Sequence, residues 1–381
     1  MNRTEFIQNA HLIIIKVGSS LLVRDFQLDV DRLQKLAGQI SALLQLQKKV
    51  ILVSSGAMAC GMSMMGFHQK RKDIPFKQAM ASIGQGVLMQ YYCQAFLRFQ
   101  RPVAQILLAP EDISNRHKYL NARNTLETLL DLGVVPIVNE NDTVAIEELK
   151  FGDNDRLSAL VASLVDAQLL IILSDVDGLF SADPKKDPTA TLIPEVPRVS
   201  SDIESMAGGE GTTVSTGGMK SKVLAARIAS ISGAGVILAS GKDFGILHRI
   251  MHGETVGTFF YPQPETLKNR KRWIAFGMMI HGKIFIDFGA AEALLQNKSL
   301  LPAGIRKVTG TFDVGDCVEI MDETGCLMGR GMVNYSSSEL KKIHGLHSTE
   351  LRVIFPDRIF EEEVIHIDNM VLFHREEKEN V

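Results

Sequence analysis

The chain has 381 residues, of which 45% are hydrophobic and 22% are charged, and its formal net charge is −3 at pH 7. This length favours two domains, and the composition excludes a disordered or fibrous protein. The small negative charge provides no general attraction for nucleic acid or anionic lipid, so we expect small molecules to be the ligands.

The first 250 residues or so alternate between short apolar runs and longer segments with the 3.6-residue periodicity of amphipathic helices. The apolar runs predict buried strands, because they are too short for independent helices and rich in Val, Ile and Leu. They lie at 12–15, 50–53, 106–108, 134–138, 169–173 and 236–239. The helical segments lie at 29–46, 78–99, 122–132, 156–165 and 221–231. This alternation predicts an α/β fold in which a mostly parallel sheet is sandwiched by helices, with ligands at the carboxyl ends of the strands.

Small polar residues follow the first two predicted strands. Lys16 ends the first strand, and Gly18, Ser19 and Ser20 let the following backbone approach an anion, which makes Lys16 a candidate phosphate ligand. Ser55 follows the second strand and is a candidate hydrogen-bond donor to a substrate carboxylate. The alternatives are a lysine whose stem packs at a strand end and an ordinary Ser-Gly turn.

Seven amide or acidic side chains crowd two segments, 139–142 and 152–155, between the fourth strand and the next helix. Asn154 or Asp155 is a good helix N-cap, but capping accounts for only one of the seven. A cluster of this density suits an ammonium group, a metal-bound nucleotide or the orientation of lysines. We therefore expect a functional site here.

A glycine-rich segment, 208–222, opens into the last predicted helix of this region. Its free backbone N–H groups would lie at the positive end of the helix dipole, which favours phosphate, and Lys222 falls in the first helical turn. The alternative is a flexible surface loop with a solvated lysine. Neither a P-loop nor a dinucleotide-binding fingerprint occurs in the chain, so phosphate binding must be built from loops of this kind.

The pattern changes after residue 257, where prolines and a basic cluster at 268–272 indicate a linker at 261–277. Short apolar runs at 283–287, 318–321 and 351–355, separated by glycines, then predict a small β-barrel-like domain at 278–370. The charged residues 371–381 are expected to form a flexible tail. Residues 1–260 are the corresponding larger domain.

The four cysteines are scattered, without the spacing of a zinc site or a disulfide framework, which favours a reducing compartment. No apolar stretch approaches the roughly 18 residues needed to cross a bilayer, and residues 1–11 lack the features of a secretory leader. We therefore expect a cytoplasmic protein that does not bind membranes.

Six motifs occur in the order in which the amino acid kinase family uses them, and the chain resembles that family over nearly its whole length. They are Lys-Val-Gly-Ser-Ser, Val-Ser-Ser-Gly-Ala, Asn-Glu-Asn-Asp, Gly-Asp-Asn-Asp-x-Leu-Ser-Ala, Ser-Asp-Val-Asp-Gly-Leu and Thr-Gly-Gly-Met-x-x-Lys. The segment 268–305 resembles the approach to the PUA domain that many bacterial glutamate-phosphorylating members carry. The resemblance implies an amino acid kinase fold with a PUA domain, and ATP-dependent phosphorylation of the side-chain carboxylate of L-glutamate in the presence of Mg²⁺.

The resemblance also implies the roles of individual residues. Lys16 and Lys222 would bracket the transferred phosphoryl group, and Asp155 would hold both lysines. Glutamate would be bound by Ser55, Asp142 and Asn154. Besides Lys16, the nucleotide would lie against Ser174, Asp175, Thr216, Gly217, Gly218, Met219, Lys220, Ser221 and Lys222. No side chain is assigned as a metal ligand.

Partners and alternatives follow from the same resemblance. The product, L-glutamyl 5-phosphate, would pass to a glutamyl phosphate reductase for proline synthesis, with proline as feedback inhibitor and a homodimer or homotetramer as the assembly. One alternative is another member of the family, acting on acetylglutamate, aspartate or uridylate. The other is RNA binding through the PUA domain, which the charge opposes: residues 278–381 contain 11 Lys and Arg against 17 Asp and Glu, a net charge of −6.

Overall fold

The computed structural model describes residues 2–24, 27–69, 73–144, 154–184, 186–207, 218–243, 245–263, 269–346 and 362–373. The chain divides into two compact units, Met1–Thr266 and Leu267–Val381. Several predicted features lie outside the described residues: Asp153 in the acidic cluster, most of the glycine-rich segment at 208–217, Lys268 in the basic cluster, the strand at 351–355 and the tail residues 374–381.

Ten short strands are described in the first unit. They are β1 (Leu12–Val17), β2 (Val23–Arg24), β3 (Gln27–Leu28), β4 (Lys49–Val53), β5 (Val103–Leu108), β6 (Val135–Glu140), β7 (Leu169–Ser174), β8 (Glu195–Val196), β9 (Gly235–Ser240) and β10 (Thr258–Phe260). The helices are α1 (Arg3–Asn9), α2 (Ser19–Leu22), α3 (Val30–Gln45), α4 (Ala57–Met64), α5 (Ile74–Leu97), α6 (Pro110–Ser114), α7 (Arg116–Asp131), α8 (Asn154–Leu164), α9 (Ser201–Ala207), α10 (Met219–Ile231) and α11 (Ile246–Met251).

Eight of these strands form one sheet in the order β5-β6-β4-β1-β7-β9-β10-β8. The first six strands in this order, β5, β6, β4, β1, β7 and β9, run parallel to one another. The seventh, β10, is antiparallel to β9 and parallel to β8. The six parallel strands correspond to the six that the sequence predicts, although β6 begins at Val135 rather than at 134. Their carboxyl ends share one edge, at which Lys16 lies in register with Val53 on one side and Ile172 on the other.

The core of the first unit lies on both faces of this sheet. All residues of β7 are buried, as are residues 13–17 of β1, so successive side chains on opposite faces are covered. Helix α3 shows how the sequence produces this packing: Asp29 caps its first turn by accepting from the Arg32 N–H, and Leu33, Leu36 and Ile40 recur at helical spacing on its buried side.

Some helix starts differ from the predicted bounds for an identifiable reason. Helix α5 begins at Ile74 rather than 78, after the N-cap Asp73, and α7 begins at Arg116 rather than 122, after the N-cap Asn115. The first turn of α7 is polar and exposed for the most part, so apolar periodicity alone did not reveal it. Capping residues mark these starts better than hydrophobicity does.

The second unit contains a five-stranded sheet in the order β12-β11-β13-β14-β15 among its described residues. Its elements are α12 (Asn269–Arg272), a π-helix (Trp273–Gly277), β11 (Ile280–Ile286), α13 (Phe288–Leu295), β12 (Ile305–Gly310), β13 (Cys317–Met321), β14 (Leu327–Met332), α14 (Ser337–Ile343) and β15 (Met370–Leu372). A separate apolar core includes Ile284, Ile320 and Leu340. Residues 269–277 are helical, which the prediction of a linker did not anticipate, and the predicted domain limits stay predictions.

Candidate active site

Three buried charged residues meet at the carboxyl edge of the large sheet. Lys16 lies near the end of β1, Asp155 in the first turn of α8, and Lys222 in the first turns of α10. Their exposed fractions are 3%, 0% and 6%. The Lys16 Nζ lies 2.5 Å from Asp155 Oδ1, and the Lys222 Nζ lies 3.2 Å from Asp155 Oδ2. Two lysines more than 200 positions apart therefore bind the two oxygens of one carboxylate.

The fold brings these residues together because α8 packs against both β1 and α10. The Ser221 hydroxyl adds a third contact to this carboxylate by donating to Asp155 Oδ2 at 3.1 Å. Two ammonium groups held by one buried carboxylate suit a site that binds phosphoryl oxygens, because hydrogen bonds from lysine to an anionic oxygen are charge-assisted and strong.

Ser55 and Asn154 form a second part of the site. The Asn154 Nδ2 lies 3.0 Å from the Ser55 Oγ, 2.5 Å from the Ser54 carbonyl oxygen and 2.9 Å from the Asn139 Oδ1. Asn154 directly precedes Asp155 in the chain, so this amide and the lysine-binding carboxylate are held by the same helix turn. The two predicted residues are thereby brought together beside the lysines.

Asp142 lies on a cavity of about 220 Å³ close to these residues. The lining also includes Ala57, which begins α4 two residues after Ser55, and Gln85 of α5. Gln85 accepts a hydrogen bond from Asn139 Nδ2 at 2.8 Å, and Asn139 in turn accepts from Asn154. A chain of three amide side chains therefore connects the Asp142 cavity to the Ser55 loop, which is residues 54–56 between β4 and α4.

The predicted nucleotide-binding residues that the structure describes lie at the same edge of the sheet. Ser174 ends β7, is buried, and donates to Asp175 Oδ1 at 3.2 Å. Gly218 precedes α10, and its carbonyl accepts from the Ser221 hydroxyl at 2.9 Å. Met219 is half-buried and Lys220 exposed. Thr216 and Gly217 lie outside the described residues.

Sequence reasoning missed two polar residues that support the site, Gln85 and Tyr92; Asn139 was included in the predicted cluster at 139–142, but without a role. The Tyr92 hydroxyl is hydrogen-bonded to the Ser54 Oγ at 2.8 Å, and complete burial raises the pKa of this phenol, so it stays protonated. Gln85 and Tyr92 lie seven residues apart on the buried side of α5. The sequence signal that could have identified them is the presence of polar side chains among the apolar residues on the buried side of α5.

Helices α4 and α5 approach each other more closely than any residue but glycine allows. A Cβ on Gly61 would lie 1.9 Å from the Met80 carbonyl oxygen, and a Cβ on Gly84 would lie 1.8 Å from the Ala57 carbonyl oxygen. Gly56, with φ of +107°, turns the chain from β4 into α4 in a conformation that favours glycine. This packing fixes the position of the Ser55 loop.

The described residues contain no group of three or more His, Cys, Asp or Glu side chains arranged to hold a metal ion. Within the same residues, no helix has both the length and the apolar character needed to cross a membrane.

Each of the two units contains a region that matches a known protein family. The sequence profile described as "Amino acid kinase family" matches residues 11–240, and the PUA domain profile matches residues 282–355. Glutamate 5-kinase from Syntrophotalea carbinolica is 46% identical over 371 residues, 97% of this chain and 99% of that protein. Glutamate 5-kinase from Caldanaerobacter subterraneus subsp. tengcongensis is 47% identical over 96% of this chain and 99% of that protein. Glutamate 5-kinase from Geobacter sp. strain M21 is 45% identical over 97% of this chain and 100% of that protein.

Proposed function

Because the chain belongs to the amino acid kinase family and, within it, to the glutamate 5-kinases, we propose that it transfers the γ-phosphoryl group of ATP to the side-chain carboxylate of L-glutamate. The product is L-glutamyl 5-phosphate, in the first step of proline biosynthesis. The observation that carries this proposal is the convergence of Lys16 and Lys222 on the two oxygens of Asp155.

The reaction needs charge stabilisation rather than a general base. The side-chain carboxylic acid of free glutamate has a pKa of about 4.3, so the nucleophile is already an anion at neutral pH. The difficulty is to bring it to the γ-phosphate and to stabilise the charge that spreads over the phosphoryl oxygens. Lys16 and Lys222 act on those oxygens. Asp155, which both lysines contact, holds the two ammonium groups in place and takes no proton from the substrate.

The two substrates occupy adjoining parts of the sheet edge. Ser55 and Asn154, which contact each other, bind glutamate on the side of β4. Asn154 precedes Asp155, to which Lys16 is bound. Asp142 binds the α-ammonium group, because an acidic side chain on a cavity attracts that cation.

The nucleotide lies on the other side of β1. Its phosphates are held by the amino end of α10, from Gly218 to Lys222, and by Thr216 and Gly217 before it. Ser174 and Asp175 contact the nucleotide after β7. Mg²⁺ would accompany ATP and would supply positive charge that offsets part of the charge of the phosphates.

Assembly and regulation complete the proposal. The enzyme is a cytoplasmic homodimer or homotetramer, its product passes to a glutamyl phosphate reductase because an acyl phosphate hydrolyses readily, and proline inhibits it. These assignments rest on the resemblance to the family.

The test is ADP release measured with a panel of acceptors: L-glutamate, L-aspartate, N-acetyl-L-glutamate and uridine monophosphate. We expect L-glutamate to be the only good acceptor, with kcat/KM at least 100-fold above the others. Comparable turnover of another acceptor, or none with glutamate, would contradict the assignment.

A further inference from the structure

The hydrogen-bond polarity of the amide chain is fixed by two backbone groups. The Ser54 carbonyl can only accept, so the Asn154 atom that contacts it is the amide nitrogen Nδ2. The Glu140 N–H can only donate, so the Asn139 atom that it contacts, at 2.9 Å, is the oxygen Oδ1. Asn139 therefore presents Nδ2 to Gln85, and Gln85 must present its oxygen in return.

This polarity leaves the amide nitrogen of Gln85 directed away from Asn139. Gln85 is only 8% exposed, and its Nε2 is buried and has no hydrogen-bond partner among the described residues. A buried N–H group without an acceptor is unfavourable, and native structures contain few of them. Since Gln85 lines the 220 Å³ cavity, an acceptor bound in that cavity would satisfy it. Gln105 lines the same cavity but is exposed, so water can serve it.

The cavity wall shows which acceptor fits. Its described residues include the carboxylates Glu140 and Asp142 and no lysine, arginine or histidine. An anion alone would be repelled there. A zwitterionic amino acid is accommodated, because its ammonium group faces the two carboxylates while its α-carboxylate takes hydrogen bonds from neutral donors.

We propose that Gln85 is a specificity-determining residue whose Nε2 donates a hydrogen bond to the α-carboxylate of the bound amino acid. This inference rests on the proposed function, since it takes L-glutamate as the substrate. Gln85 selects acceptors that carry an α-carboxylate, and the acidic wall selects those with a free ammonium group.

The experiment compares L-glutamate with 4-aminobutyrate, which keeps the ammonium group and the reacting carboxylate but lacks the α-carboxylate. In Gln85→Glu, one carboxylate oxygen of the new side chain can still accept the hydrogen bond from Asn139 Nδ2. The other oxygen stands in place of Nε2, so the group that would donate to the substrate becomes an acceptor. We expect its kcat/KM for glutamate to fall about 10- to 100-fold, mainly through KM, and its kcat/KM for 4-aminobutyrate to change less than threefold. Where turnover of 4-aminobutyrate is too slow, its competitive inhibition constant replaces kcat/KM.

The controls separate a binding role from a structural one. Gln90→Glu makes the same change at an exposed position of the same helix, and we expect wild-type values for both compounds. Gln85→Met, which adds no charge, should show the same loss of preference for glutamate over 4-aminobutyrate. Parallel losses for both compounds in the Gln85 variants would mean that Gln85 acts only through packing, and the inference would be wrong.

A wild-type measurement covers the case in which neither Gln85 variant folds. L-isoglutamine, in which the α-carboxylate is an amide, should have a kcat/KM at least tenfold below that of glutamate, and equal values would overturn the inference.

The two proposals can be refuted separately. A wild-type enzyme that does not phosphorylate glutamate refutes the proposed function. An active wild type with unchanged selectivity in Gln85→Glu refutes only the role of Gln85.

Discussion

Asp155 shows how one buried carboxylate can hold two lysines in a fixed arrangement. Its carboxylate is fully buried and each oxygen contacts a different lysine. Removing one member of a buried ionic group commonly costs about 3–5 kcal/mol, because the remaining charges are left without compensation. If the two lysines act on the phosphoryl group as proposed, Asp155 holds them in place before substrates bind, and little reorganisation is needed in the transition state.

Lys222 provides the residue-scale prediction. We expect Lys222→Ala to lower kcat by about 100-fold or more while the KM for glutamate changes less than threefold, because the lost ammonium group is the one that we propose acts on the transferring phosphoryl group. Steady-state ADP release at saturating ATP measures both constants.

The matched control is Lys49→Ala. Lys49 also forms an ion pair with an aspartate, Asp131, at 2.6 Å, but this pair is exposed and lies at the opposite edge of the sheet. Exposed pairs contribute little, so both kcat and stability should stay near those of the wild type. Near-normal kcat in Lys222→Ala would remove Lys222 from the chemistry.

At this scale, sequence reasoning identified residues whose type suits a reaction but missed those whose role depends on packing. Lys16, Ser55 and Asn154 follow predicted strands or begin a predicted helix, so their grouping at one sheet edge was predictable from topology. Gln85 of α5 and Asn139 of β6 are separated by 54 positions, and only the tertiary fold brings them into contact. No local pattern encodes that contact.

At the scale of elements, the parallel strands were predictable because buried strands read as unbroken apolar runs. The short strands β8 and β10 were missed: Glu195–Val196 and Thr258–Phe260 have two and three residues, too few for a periodic signal. Helix α11, six residues long, was missed for the same reason. Elements of this size depend on tertiary contacts more than on local sequence pattern.

The contact between α4 and α5 leads to an element-scale prediction. In Gly84→Ala the new methyl group would lie 1.8 Å from the Ala57 carbonyl oxygen and 2.3 Å from the Gly61 nitrogen, so the helices must separate. We expect a loss of about 1–3 kcal/mol in the free energy of unfolding, measured by denaturant titration. We also expect a higher KM for glutamate, because the Ser55 loop directly precedes α4 and would move with it.

Gly86, two residues further along α5, is the matched control. A Cβ there would meet no atom within 4 Å, so Gly86→Ala should gain about 0.5–1 kcal/mol from helix propensity. If both substitutions shift the free energy of unfolding in the same direction, close helix approach is not what Gly84 provides.

At the scale of the whole molecule, the sequence predicted two domains of unequal size, and the chain does divide into two compact units. Among the described residues, one apolar cluster includes residues of β1, β4 and β7, and a second, with no residue in common, includes residues of β11 and β13. The strongest sequence signal for this division was the change in strand and glycine pattern after residue 257. The helical residues 269–277 were not predicted, because a basic cluster and two nearby prolines resemble a linker in composition.

Separate cores predict that the first unit can act alone. Every residue proposed to bind or act on a substrate lies within Met1–Thr266. A chain ending at residue 266 should therefore unfold in one cooperative transition and release ADP with glutamate at a kcat within about threefold of the full-length value, since each unit buries its own apolar surface. Circular dichroism checks the fold and ADP release checks the reaction. A folded but inactive truncated chain would show that residues 267–381 supply something that the reaction requires, whereas an unfolded one would show that the two cores are not independent.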